Sequence, residues 1–392
     1  MKNLIRKFKQ MSKKEKIGHT IVYCAIILFL VFLYFFNTSI DKTPLLDENS
    51  GDFARARVVE IIEENRDQEG NQIGTQIVNV EILSGDYKGE IVQTTNIDSY
   101  LYGADCQVGT RVIVQLSEYD GSISASVYNY DRTNTLIFMV ALFLFLLILI
   151  GKQKGLTSAF GLVFTFICII FLYIPMMYIG FSPFFSAVLV VILTTMVIMY
   201  FIGGFSMKAL CSILGTIVGV VIAGVFASGF GALSHINGFN VEDIETLIYI
   251  GQNSNLDISG LLFSGILIAS LGAVIDTAMS IATTIEEIVY RRPDISAKEL
   301  LKSGIKIGGD MMGTMSNTLI LAFTGGSLST LVVFYAYDMP FLQMFNSYDI
   351  GIEIIQGISG SLGVILTVPF VSVISAFLMS RKKTSLNKNE LK

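Results

Sequence analysis

The chain has 392 residues, 52% of them hydrophobic and only 15% charged, with a net charge of −5. Soluble globular proteins carry about 25% charged residues, so this deficit, concentrated in long apolar runs, excludes an ordinary soluble fold. The two histidines (His19 and His235) and four cysteines form no metal-ligand spacing, and neither a P-loop nor a dinucleotide fingerprint occurs. The chain is therefore not read as an enzyme, and no cofactor or metal is expected.

Residues 1–19 form a basic segment, followed by an apolar run at 20–36. That run ends in Phe35-Phe36-Asn37-Thr38 with no small-residue cleavage site, so it reads as an uncleaved anchor. Residues 37–133 form an extracytoplasmic segment with a different composition. Alternating runs at Ala54–Ile62, Gln76–Leu83, Glu90–Thr94, Arg111–Leu116 and Ser122–Tyr128 predict five short strands. Turn signals separate them: Glu69-Gly70-Asn71, Ser84-Gly85-Asp86 and Tyr119-Asp120-Gly121. Five strands in this length suit a small OB-like barrel. Its acids and its lack of a basic stripe exclude nucleic acid as a partner. A cap or contact platform is the simplest role for it.

Further apolar runs lie at 134–150, 157–174, 184–201, 209–230, 260–282, 311–336 and 354–379. Each is long enough to span a bilayer. The fold class is thus an α-helical membrane protein of about eight transmembrane helices, with the OB-like domain between helices 1 and 2. The last seven spans make up a domain over 134–380, and 381–392 is a basic tail. With the N-terminus inside, 20 of the 27 Lys and Arg are cytoplasmic, and the other 7 lie in the long 37–133 segment. This is the positive-inside pattern with both termini cytoplasmic, as in a bacterial plasma membrane. Cys24, Cys168 and Cys211 fall in spans as small apolar filler, which leaves Cys106 alone outside without an intrachain disulfide partner.

Small residues recur every fourth place in span 5 (Gly215, Gly219, Ala223, Ala227, Gly231) and in span 6 (Gly265, Ala269, Ala273). That spacing predicts close helix packing. Span 6 also carries Asp276, which shares a helical face with Ser280, Thr283 or Thr284, and Glu287. A carboxylate at that depth must face the bundle interior, pair, or stay protonated. Its two readings are a polar tie between helices and a proton or cation site.

Span 7 places Asp310, Thr314 and Asn317 on one face. The glycines around them, with Gly325-Gly326 beyond, offer either close packing or an interrupted helix that exposes backbone groups to an ion. Between spans 6 and 7, Ser296 and Glu299 predict a capping box, and Gly304 predicts the end of a short amphipathic helix. Span 8 opens with Glu353 and Gln356, continues with Gly357, Gly360 and Gly363, and predicts a kink or break near Pro369.

At Gly272–Ala282 (GAVIDTAMSIA) and Gly308–Gly325 (GGDMMGTMSNTLILAFTG) the chain resembles the YibE/F family of multipass membrane proteins. Gly85–Glu90 and the Asp131-Arg132 pair also match, and the resemblance runs from about residue 54 to 379. Gly309 stands where that family often has Arg, which removes a fixed ion pair to Asp310. The resemblance implies fold and membrane location and carries no activity.

The residues themselves point first to a transporter or permease for an ion or small solute, its site built from Asp276, Ser280, Glu287, Asp310, Thr314 and Asn317. The alternative is a non-transport assembly or sensor accessory protein that uses the β-domain as a contact surface. The remote alternative is an intramembrane aspartyl protease, for which Gly308-Gly309-Asp310 lacks the expected Gly-x-Gly-Asp order. The expected partners are the lipid bilayer, an unidentified ion or small solute, and a second copy or another membrane protein.

Overall fold

The computed structural model describes residues 13–41, 52–63, 74–97, 103–119, 122–241 and 243–390. The chain divides into two compact units, one formed by residues 42–150 and the other by 1–41 with 151–392.

In the first unit, strands β1 (Phe53–Glu63), β2 (Thr75–Ile82), β3 (Ile91–Ile97), β4 (Arg111–Tyr119) and β5 (Ser122–Tyr130) close into a barrel. Their order is β1-β2-β3-β5-β4, with β4 returning to β1 and β3 parallel to β5. The alternating runs predict five strands and a small barrel, and both are present. Alternate residues point inward because successive side chains leave opposite faces of a strand. Ala54, Ala56 and Val58 therefore meet Val78, Val80 and Ile82, with Val112 and Val114 closing the core. The 84–86 turn is present, with Gly85 at φ +84°. The turns at 69–71 and 120–121 lie outside the described residues. Cys106 is buried in this core and forms no disulfide among the described residues.

One polar network sits inside the barrel. Gln76 donates to the Cys106 carbonyl (2.8 Å) and accepts from Asn96 (3.1 Å) and from the Cys106 amide (3.2 Å). Both side chains are fully buried. Gln76→Leu would leave Asn96 and the Cys106 backbone short of partners, at a cost of about 2–4 kcal/mol. Closure removes free sheet edges, so residues 52–132 expressed alone are expected to give a cooperative β-type melt. Gln76→Leu should lower its midpoint by roughly ten degrees or more. An unchanged melt would show that the network does not hold the barrel together.

After the barrel, Asp131 accepts from the Thr133 amide at 3.1 Å and pairs with Arg55 at 3.7 Å. A hydrogen bond from the Thr133 side chain, followed by the Thr133 amide and the Arg55 charge, holds its carboxyl below the usual range against the opposing effect of burial.

The helices are α1 (Lys13–Thr38), α2 (Thr133–Cys168), α3 (Ile174–Tyr178), α4 (Pro183–Gly203), α5 (Met207–Leu233), α6 (Ile244–Asn253), α7 (Leu261–Arg291), α8 (Ala297–Gly326), α9 (Leu328–Ala336), α10 (Phe341–Phe345) and α11 (Tyr348–Glu390). Six apolar stretches of described residues are long enough to cross a membrane, and α8 with α9 makes a seventh when the bent pair is taken as one span. Two of the runs read from the sequence, 134–150 and 157–174, fall within the single stretch Thr133–Tyr178. That stretch is broken at Lys152 (φ 49°, ψ −122°).

The span-5 stripe is the centre of packing in the second unit. A Cβ at Gly219 would lie 1.8 Å from Thr367 Oγ1 and 3.2 Å from the Gly363 carbonyl, so α5 and α11 cross at backbone contact. Gly224 meets Leu267 of α7, and Gly231 meets Phe263. The stripe therefore binds α11 as well as α7. Tyr173 and Ser264 share a hydrogen bond that ties the segment after α2 to α7. On α1, His19 bonds the Tyr200 hydroxyl of α4. Cys168 and Cys211 are buried as expected, whereas Cys24 is exposed on α1.

One local expectation changes and two are narrowed. The Ser296–Glu299 capping box forms, but no separate helix ends at Gly304, because α8 runs on to Gly326. Gly304 is instead a close contact, its Cβ position 2.6 Å from Ser372 Oγ. The glycines at 308–313 do not interrupt α8; the break falls at the expected Gly325-Gly326 weak point, where α8 and α9 meet at 59°. At Pro369 the helix α11 continues in both directions.

Candidate functional site

Asp276 is the sixteenth residue of α7, flanked by apolar turns. It does not face the bundle interior. Val274, Ile275, Thr277 and Ala278 around it are buried while Asp276 is exposed. The outward stripe of α7 is Gly265, Ala269, Gly272, Asp276, Thr283 and Glu287, with Ser280 half-buried beside it. The i, i+3/i+4 spacing makes this one continuous face. Asp276 has no hydrogen bond or ion pair among the described residues. Glu287 bonds Arg291 at 2.6 Å, and neighbouring Glu286 pairs with Lys208 of α5 at 2.9 Å.

On α8, which packs beside α7, the outward face carries Asp310, Gly313, Thr314 and Asn317, all exposed. Asp310 and Asn317 likewise have no side-chain partner among the described residues. A Cβ at Gly265, Gly272, Gly309 or Gly313 would meet nothing within 4 Å. The inward face of α8, Gly304, Gly308 and Leu319 among its residues, packs against the bundle. The six residues read from the sequence therefore lie on outward faces of two neighbouring helices, not in a buried pocket. The reason is periodicity: the apolar residues of both helices fill the contacts with α5 and α11, which turns the polar stripe away. In the span-6 stripe, Gly265 and Ala269 belong to the same open face, while Ala273 is half-buried and packs against the core.

A second acid was not read as a site. Glu353, near the start of α11, has an Oε2 that is buried without a hydrogen-bond partner. It lines a cavity of about 230 Å³ at the α8–α9 break, with Thr324 and Ser327 on the opposite wall. Both signals were visible in sequence, as Glu353 opening span 8 and Gly325-Gly326 as a weak point. Their meeting depends on the fold.

Two family models cover these units separately. Residues 53–130 match the YibE/F family N-terminal domain, and residues 139–381 match the YibE/F-like protein model. The chain belongs to the YibE/F family. The first match coincides with the barrel, and the second takes in every outward polar residue of α7 and α8. No curated protein and no solved structure matches the chain. Family membership and the apolar helices together make it a multipass membrane protein.

Proposed function

We propose that this YibE/F protein is a plasma-membrane permease for an ion or small polar solute, with its pathway along the outward face of α7 and α8. One observation carries the reading: Asp276 is exposed and unpartnered in the middle of an apolar 31-residue helix. Left against lipid, an ionised carboxylate costs about 2.5–3.5 kcal/mol on insertion scales. Water or a solute removes that cost. Asp276, Asp310 and Glu287 supply charge, and Ser280, Thr314 and Asn317 supply hydrogen-bonding groups that replace part of a solute's hydration shell.

Length supports a reading with eight crossings. The Thr133–Tyr178 stretch has 46 residues, about 69 Å as a helix, against roughly 30 Å of hydrocarbon. The break at Lys152 supports a division into two crossings, and the positive-inside pattern supports a cytoplasmic side for Lys152, Lys154 and both termini in this reading.

A second reading has its own observation. The open small residues Gly265, Ala269 and Gly272 share the Asp276 face, and such stripes let another helix approach closely. In that reading the face docks a second membrane chain, and the protein is an assembly or accessory component.

Cysteine scanning separates the two. In a variant without native cysteines, single cysteines at 276, 283, 314 and 317 are expected to react quickly with a charged thiosulfonate. Cysteines at buried 274 and 278 are expected to stay unreactive. Uniform protection of the outward positions, with cross-linking between chains, would instead support docking.

A further inference from the structure

The cavity at the α8–α9 break has a composition that selects its occupant. Its walls are apolar, formed by Ile320, Leu331, Ile350, Ile354 and Ile358. The charge comes from Glu353 alone. The two hydroxyls present are already engaged: Thr324 donates to the Ile320 carbonyl at 2.8 Å, and Ser327 to the Phe323 carbonyl at 3.5 Å. Neither bonds the carboxylate, whose Oε2 is buried and unpartnered. A buried carboxylate oxygen needs a proton or a positive partner. A hard metal ion would call for several oxygen ligands at fixed distances, and the walls do not offer them. The volume of about 230 Å³ is below the ~300–1,000 Å³ of drug-sized ligand sites. The occupant is therefore small, apolar in body and singly positive.

We propose that this cavity binds a small organic monocation, an ammonium carried on an apolar body, with Glu353 as its counter-charge. The apolar body replaces lipid or water against the five aliphatic side chains, and the ammonium satisfies the carboxylate. The α8–α9 bend opens the space, because an unbroken helix through Ser327 would carry Leu331 along the α8 axis and away from α11. Ile320 and Thr324 continue the exposed side of α8 one and two turns beyond Asn317, and the proposal does not depend on transport. The ammonium comes either from a free amine or from a lipid headgroup.

The test uses the full chain in nanodiscs with benzyltrimethylammonium as probe and neopentylbenzene as its neutral isostere. In phosphatidylglycerol nanodiscs the wild type is expected to bind the cation measurably more tightly than the isostere. Glu353→Gln, which keeps shape and removes charge, is expected to weaken cation binding by about tenfold or more, ~1.4 kcal/mol, with its thermal melt retained. Asp349→Asn removes an exposed acid four residues away on the same helix and is expected to leave binding unchanged. Phosphatidylethanolamine nanodiscs that compete with the probe would identify a lipid headgroup as the source, and equal binding in both lipids would identify a free amine. Equal affinity of wild type and a folded Glu353→Gln variant, or no cation binding in phosphatidylglycerol, would overturn the proposal.

Discussion

Gly219→Leu is expected to remove most folded protein from the membrane, whereas Gly272→Leu is expected to leave its abundance unchanged. At Gly219 even a methyl group would lie 1.8 Å from Thr367 Oγ1 and 3.2 Å from a backbone carbonyl of α11. The Thr367 hydroxyl cannot simply rotate away, because it donates to the Gly363 carbonyl at 2.7 Å. Larger side chains force the two helices apart and uncover Val220, Ala223, Val364 and Val368, which are all buried. Overpacking typically costs about 1–3 kcal/mol, and separating two backbones costs more, against a total stability of about 5–15 kcal/mol. Gly272 has open space in front of it. Size-exclusion of tagged variants from solubilised membranes reads the difference as the height of the monodisperse peak. A normal peak for Gly219→Leu would show that the α5–α11 crossing is not what holds the bundle.

The two glycine substitutions also mark where sequence reading stops. Both stripes have the same four-residue spacing, and spacing alone assigns close packing to both. Packing partners are a property of the whole bundle. The stripe in α5 finds Thr367 and Gly363, while Gly265 in the stripe of α7 finds open space. The barrel was more legible, because period-two alternation in a closed sheet leaves a single inward face. Ala54, Ala56 and Val58 could be placed opposite water before the strand order was known. Membrane helices lack that guide: lipid is as apolar as a helix interface, so apolar residues point both inward and outward. Asp276 was legible as a residue out of place, but the face it occupies was not. Glu353 was legible only as an acid at a helix start, because the cavity beside it is lined by residues from α8 and α9.

The measurement that bears most directly on function is flux through purified protein in liposomes, wild type against Asp276→Asn. Imposed pH and sodium gradients are followed with pH- and sodium-sensitive dyes trapped inside. If the outward face of α7 and α8 is a pathway, Asp276 supplies the charge that offsets a cation's lost hydration and takes up or releases a proton as it passes. Asparagine keeps the shape, removes the charge and is cheaper to hold in a membrane. The variant should therefore insert and fold as well as the wild type. Asn317→Ala should lower flux less, because it removes a hydrogen-bonding group and leaves the titrating one. The expected result is gradient-driven flux in the wild type, near-background flux in Asp276→Asn at equal protein content, and intermediate flux in Asn317→Ala. Wild-type flux in Asp276→Asn would contradict the account.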